Sequence, residues 1–161
     1  MEDIRLRIVL QRVSRAHVVV SGDMSDIRGI GAGIVALVGF CDSDDDKTLC
    51  FMANKLVNLR IFNDEGGNMN RSLLDVDGEL LVVSQFTLYA NSRKGRRPSF
   101  IEAAGPDIAI PLYERFIEEL QSLTPAVKCG EFGADMKVEL INDGPVTIIL
   151  DSSEIMSKQN S

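Results

Sequence analysis

Residues 139–150 read ELINDGPVTIIL, and the middle of that stretch conflicts with its ends. Leu140-Ile141 and Val146 to Leu150 have the apolar run of a buried strand, whereas Asn142-Asp143-Gly144-Pro145 is a turn signal. Proline removes a ladder donor and glycine weakens a strand. Local rules therefore divide the stretch into two strands, Met136 to Asn142 and Val146 to Leu150, joined by an ordinary turn. The Gly144-Pro145 bond is expected trans on those rules, because only about 5–6% of X-Pro bonds are cis. A Gly-Pro peptide can also present backbone carbonyls to a ligand.

These C-terminal strands need partners, and the rest of the chain supplies them. RLRIVLQRV alternates from Arg5 to Leu10 and begins a strand, with AHVVVSG as its expected hairpin neighbour. Gly29, Gly31 and Gly33 lead into a fully apolar strand from Ile34 to Phe40. They match neither GxGxxG nor a Walker loop, and a strand follows where a helix should, so they read as a turn. Asp42 to Asp46 supply a cap and first-turn acids for a helix through about Leu59, with Leu49, Met52, Ala53 and Leu56 on one face. Turns at 64–67 and 77–78 precede a long strand from Glu79 to about Leu88. Pro106 suits the first position of a second helix, with Leu112, Phe116, Leu120 and Leu123 as its apolar stripe and Pro111 as a kink or delay.

Strands outnumber helices and cluster at both ends of the chain. The expected fold is mixed α/β, with two packed β-sheets or a partly closed barrel and the helices outside. A single domain over residues 1–150 and a frayed polar tail over 151–161 account for all 161 residues.

Composition narrows the function classes. At 45% hydrophobic and 25% charged residues the chain is ordinarily globular, and no apolar window reaches the length of a membrane-spanning helix. The acidic start Met1-Glu2-Asp3 is unlike a secretory signal, so a soluble cytoplasmic protein is expected. Cys41, Cys50 and Cys129 show no CxxC spacing and His17 is the single histidine, which gives no Cys/His zinc site; no metal or organic cofactor is expected. A net charge of −7 argues against a general polyanion binder, since nonspecific affinity for nucleic acid comes from Lys and Arg on phosphates. One local exception is SRKGRRPSF, which holds Arg93, Lys94, Arg96 and Arg97 within five residues and reads on its own as a solvated loop.

A Ser-His-Asp triad fails for want of a base, because His17 sits in RAHVVV, where a strand-face histidine is the simpler reading. Polar residues inside apolar strand say more, since burying them costs free energy unless they are hydrogen-bonded. In LLVVSQFTLYA, strand alternation would put Gln85 and Thr87 on one face and Ser84, Phe86 and Leu88 on the other. That pair either lines a polar pocket or is a satisfied core pair. NDGPVT is the second such case.

SQFTL at 84–88 and NDGPVT at 142–147 resemble the two signature motifs of the D-aminoacyl-tRNA deacylases, also called D-tyrosyl-tRNA deacylases. IVLQRV, NLRIF, MNRSLLDVDGELLVVSQFTLYA, KGRRPSF and FGADMKVELINDGPVT occur in family order, so the resemblance covers nearly the whole chain. It implies hydrolysis of the ester joining a D-amino acid to the 3′ end of tRNA, action on glycine mischarged onto tRNA for alanine, and no organic cofactor. It also implies a homodimer in which a cis Gly144-Pro145 crosses the interface and rejects L side chains, with Arg12 fixing its orientation. Thr87 is then either a nucleophile or, lacking a base, part of a backbone site with Phe86 that stabilises the oxyanion, while Gln85 orients the strand or contacts substrate. Ser84, Phe100, Ala109 and Met136 are further pocket candidates by the same resemblance. Arg93, Lys94, Arg96 and Arg97 become contacts to tRNA phosphates. The competing reading is a non-catalytic module of the same fold that binds nucleic acid or a nucleotide.

Overall fold

The computed structural model describes residues 6–157. Its spine is β1 (Arg7–Val20), one continuous strand. AHVVV is thus not a hairpin neighbour but the second half of the same strand. Ser14-Arg15 lacks the Gly, Asn or Asp that a two-residue hairpin turn demands; the reversal waits for Ser21-Gly22, both at positive φ. Strand β2 (Ile27–Ile30) then folds back on the second half of β1, from Ala16↔Ile30 to Val19↔Ile27. Strand β3 (Gly33–Gly39) pairs antiparallel with the first half, from Arg7↔Gly39 to Val13↔Gly33.

The chain next forms α1 (Asp46–Asn58), capped by the Asp45 carboxylate on Thr48 N–H, and a small hairpin of β4 (Phe62–Asn63) and β5 (Met69–Arg71). Strand β6 (Glu79–Ser84) runs parallel beside β3. Helix α2 (Pro106–Leu123) begins at Pro106 as expected, with Gly105 as its N-cap. Pro111 does not delay it. The buried stripe of α2 is Ala109, Tyr113, Phe116, Ile117 and Leu120, with Leu112 and Leu123 at its margin. Strand β7 (Val127–Cys129) extends the sheet parallel to β6.

The two expected C-terminal strands are a single element, β8 (Met136–Asp151), which pairs antiparallel with β1 from end to end. The turn signal survives as an irregularity within the strand. Thr147 opposes Gln11 and Asn142 opposes Val13, so Asp143–Val146 stand opposite Arg12 alone. Asp151 ends β8, and Ser152–Ser157, expected as frayed tail, form α3 with Ile155 against the main core. Residues 158–161 of that expected tail lie outside the described residues.

The six-stranded sheet curls into a nearly closed barrel, the second of the two expected architectures. Side chains bridge the remaining gap between β2 and β7: Arg28 Nη1 donates to Cys129 O at 2.9 Å and Lys128 Nζ to Gly29 O at 2.6 Å. Successive residues of β3 feed opposite faces. Ile34, Ala36 and Val38 join the core under the helices, with Leu49, Met52, Leu56, Phe116 and Leu120. Val35 joins a smaller cluster with Val13, Val18, Leu81 and Val83, against which Leu37 packs. Both faces of β3 and β6 are covered, which explains their unbroken apolar sequences.

Candidate active site

The strand expected from Glu79 to Leu88 ends early. β6 stops at Ser84, and Phe86–Tyr89 form one turn of 3-10 helix after Gln85. Gln85 N–H still donates to Val38 O at 2.8 Å, the last ladder bond, and Tyr89 then pulls the chain inward, its buried hydroxyl donating to Gly39 O at 2.8 Å. Desolvation pushes the Tyr89 pKa far above its ordinary value, so the phenol stays a neutral donor. A Cβ on Gly39 would lie 2.6 Å from Tyr89 Cε2, which is why glycine ends β3 here.

This change from strand to turn has a chemical consequence. The first N–H groups of a helical turn have no partner within it. Leu88 N–H and Ala90 N–H are used, on Gln85 O and Thr87 O, but no hydrogen bond within the described residues engages the N–H of Phe86 or Thr87. Ser84, Gln85 and Phe86 line a shallow pocket with Val38, Gly39, Phe40, Ala104, Ala109 and Phe132. Phe100 stands at its rim, edge-on to the Phe86 ring with centroids 5.2 Å apart.

Gln85 and Thr87 do meet, through a turn rather than strand alternation: Gln85 Nε2 donates to Thr87 Oγ1. Thr87 is exposed, and its hydroxyl faces no described base. His17 is elsewhere, on β1 between Gly29 and Glu139, with Nε2 3.5 Å from the Glu139 carboxylate. Met136 is not part of the pocket lining; it opens β8 opposite Val20 and packs beside Gly130. Ala104 and Phe132 line the pocket without having been singled out. Phe132, an aromatic between Gly130 and Gly133, was the more legible of the two, whereas nothing marks the end of the apolar β3 as a pocket wall.

The basic segment leaves from the same turn. Asn91 and Ser99 exchange both backbone hydrogen bonds at 2.8 Å, so Arg93, Lys94, Arg96 and Arg97 sit on a closed, exposed loop joining Phe86 to Phe100.

The Gly-Pro segment forms a second locus. The Gly144-Pro145 bond is cis, contrary to the local expectation and in accord with the resemblance. Arg12, buried on β1, donates Nε to Asp143 O and Nη1 to Ile61 O, both at 2.8 Å, and reaches Asn63 Oδ1 at 3.3 Å. Asn142 closes the loop from the other side, accepting Val146 N–H at 2.7 Å and donating to Val146 O and Thr147 Oγ1. Gly144 and Pro145 are exposed. Arg12 lies five residues along β1 from Arg7, whose guanidinium contacts Leu88 O; at the usual strand rise that is roughly 16–17 Å. Within one chain the Gly-Pro loop and the Phe86 pocket are therefore separate.

Fold and site together define a small barrel-like α/β protein that offers backbone amides beside an aromatic-rimmed pocket. Comparison with known proteins makes this more specific. Residues 9–151 match the family model for D-Tyr-tRNA(Tyr) deacylase. The D-aminoacyl-tRNA deacylase of Thermomicrobium roseum is 57% identical over 150 residues, covering 93% of this chain and 96% of the relative. That of Bacteroides thetaiotaomicron is 53% identical over 148 residues, 91% of this chain and 97% of its own. A solved structure named c-Myc DNA Unwinding Element Binding Protein is 42% identical with a TM-score of 0.83, covering 91% of this chain and 98% of that one. Another, described as a probable eukaryotic D-amino acid tRNA deacylase, shares the fold at a TM-score of 0.81 and 19% identity over the same shares. The chain belongs to the D-Tyr-tRNA(Tyr) deacylase family.

Proposed function

We propose that the protein hydrolyses the ester between a D-amino acid and the 3′ end of tRNA, and likewise removes glycine mischarged onto tRNA for alanine. The observation that carries this reading is the pair of open amides at Phe86 and Thr87 beside the pocket, in a chain of this family. Water attacks the ester carbonyl, the two amides stabilise the oxyanion, and the 3′ oxygen leaves as a hydroxyl, with the neighbouring 2′-hydroxyl assisting the water. An aminoacyl ester is already activated, so positioning and oxyanion stabilisation suffice without a side-chain nucleophile, metal or organic cofactor. The exposed Thr87 and the absence of a described base favour this backbone route over nucleophilic attack by Thr87. Thr87→Ala is therefore expected to keep kcat within about fivefold of wild type, as judged against the roughly 10²-fold or larger losses seen when an oxyanion donor is removed. Near-total loss of turnover would return Thr87 to the role of nucleophile.

Selectivity on this reading comes from the backbone of Gly144 and Pro145, supplied by a second copy of the chain. Two observations support a homodimer: the separation of loop and pocket within one chain, and the second edge of β8, which pairs with no described strand while Val138, Ile141 and Ile149 are exposed along it. Carbonyls facing the α-carbon collide with an L side chain and spare a D side chain or hydrogen, so the wrong enantiomer is excluded rather than the right one gripped. Among the described residues no helix is long and apolar enough to cross a membrane; a cytoplasmic location is part of the proposal, since it is where a tRNA substrate would be met.

The family resemblance to a protein named for DNA-element binding keeps a non-catalytic nucleic-acid module as the competing reading. Incubation with D-Tyr-tRNA and L-Tyr-tRNA separates the two: release of tyrosine from the D form alone is expected. Equal release from both, or none, would sink the deacylase reading. Arg93, Lys94, Arg96 and Arg97 are assigned to tRNA phosphates. Reversing charge at Arg96 and Arg97 is expected to raise KM by roughly tenfold and to lower the salt slope by about 2, near one unit for each phosphate no longer neutralised. An unchanged KM and slope would remove the loop from the interface.

A further inference from the structure

The turn that carries the Phe86 and Thr87 amides is held at its far end by Arg7, which lies outside the family motifs. Arg7 Nη1 donates to Leu88 O at 3.1 Å, and the guanidinium lies over the Tyr89 ring, 5.1 Å from its centroid. Nε of the same group donates to Asp151 Oδ2 at 2.9 Å. Asp151 is the last residue of β8, and its other oxygen accepts the N–H and hydroxyl of Ser153, at 2.9 and 2.6 Å, in the first turn of α3. Burial alone would raise the Asp151 pKa, but the Ser153 bonds and the Arg7 guanidinium outweigh it and hold the carboxyl below its ordinary value. The hydrogen bond to Asp151, opposed in part by burial, keeps Arg7 firmly charged.

A guanidinium is planar, with its donors in fixed directions, so one edge bound to Asp151 sets where the other meets Leu88 O. Leu88 N–H in turn donates to Gln85 O at 3.3 Å, across the two residues whose amides are open. Gln85 N–H and the Tyr89 hydroxyl tie this turn to β3; Arg7 ties it to β1 and the end of β8.

We propose that Arg7 is a positioning residue for the Phe86–Thr87 backbone and that Asp151 holds Arg7 in place, so the end of β8 and helix α3 belong to the site without touching substrate. This rests on the deacylase reading of that turn. Arg7→Met, Arg7→Lys, Asp151→Asn and the Arg7→Met/Asp151→Asn pair are compared in steady-state hydrolysis of D-Tyr-tRNA. Arg7→Met lowers kcat by roughly tenfold or more with KM within about twofold, since a small misplacement of the reacting geometry costs rate rather than binding. Arg7→Lys recovers part of the loss, and the double variant is no worse than Arg7→Met, because the two residues act as one unit. Hydrogen exchange on the substrate-free proteins supplies the second readout: in Arg7→Met the hydrogen-bonded amides of Gln85, Leu88 and Ala90 exchange faster while those of α1 and β3 do not. An unchanged kcat, a loss carried by KM alone, or an equal rise in exchange everywhere would overturn the positioning role. Wild-type protein that releases no amino acid would instead overturn the deacylase reading, and the exchange experiment would still report whether Arg7 holds the turn.

Discussion

Alanine in place of Gly144 is expected to lower kcat/KM for D-Tyr-tRNA by about a hundredfold, the scale of a misplaced group near the reacting centre. Gly144 has φ +142°, where an L side chain is strained by about 1–3 kcal/mol. The added Cβ would also stand 2.8 Å from Val146 Cγ2 and 3.1 Å from Arg12 Nη2. Arg12 cannot yield freely, because its other nitrogens are committed to Asp143 O, Ile61 O and Asn63. The loop must therefore move. On the proposed mechanism its carbonyls then leave the α-carbon, and the ratio of D to L hydrolysis falls together with the rate. Both are read from parallel time courses with D- and L-Tyr-tRNA. A rate and a ratio each within twofold of wild type would remove Gly144 from the filter.

The largest loss of stability is expected at Gly33→Ala. Gly33 opposes Glu79 where β3 and β6 run parallel, and a Cβ there would fall 1.8 Å from Glu79 O, with Glu79 C and N both at 2.7 Å. Those are backbone atoms of a central strand, so no side chain can rotate away. Overpacking usually costs about 1–3 kcal/mol. A clash with the ladder itself belongs with the exceptional cases of about 4 kcal/mol or more, which lowers the melting temperature by roughly 10 °C in a chain of this size. Thermal denaturation followed by circular dichroism measures it. A melting point within about 2 °C of wild type would mean that β3 and β6 can part at this position at little cost.

Much of the barrel was legible because periodicity reports burial. The apolar run at 34–40 and the Asp45-capped helix α1 came out where the sequence placed them. What misled was punctuation. Asn142–Pro145 has the composition of a turn between strands, yet the pairing with β1 resumes on both sides, since Arg12 and Asn142 satisfy the loop groups that the ladder leaves. The opposite error occurred at Gln85–Tyr89, whose composition continues a strand. There the chain turns because Tyr89 finds Gly39 O, a contact 50 residues away that no local rule can see. The proximity of Gln85 to Thr87 was anticipated from alternation and arises from the 3-10 turn instead. Gly144 and Pro145 stood out first as a turn signal inside apolar strand, whereas Arg12 was singled out through family resemblance alone. Arg7 and Asp151, 144 residues apart in sequence, carried no signal at all.

The break in β8 also limits how this protein can vary. Between the Arg7↔Asp151 and Val20↔Met136 pairs, β8 spends two residues more than β1: the surplus opposite Arg12 is partly returned by the shift between Val13 and Arg15. The flanks of the loop serve different cores: Leu140 packs against the smaller cluster, whereas Val146 and Leu150 belong to the main core under the helices. Asp143–Val146 stand outside the ladder, so their number does not set the register, whereas a residue gained or lost within the paired stretches Val138–Leu140 or Ile148–Leu150 would reverse which side chains face the core. Changes of length in this loop leave the barrel's pairing intact; changes in either flank do not.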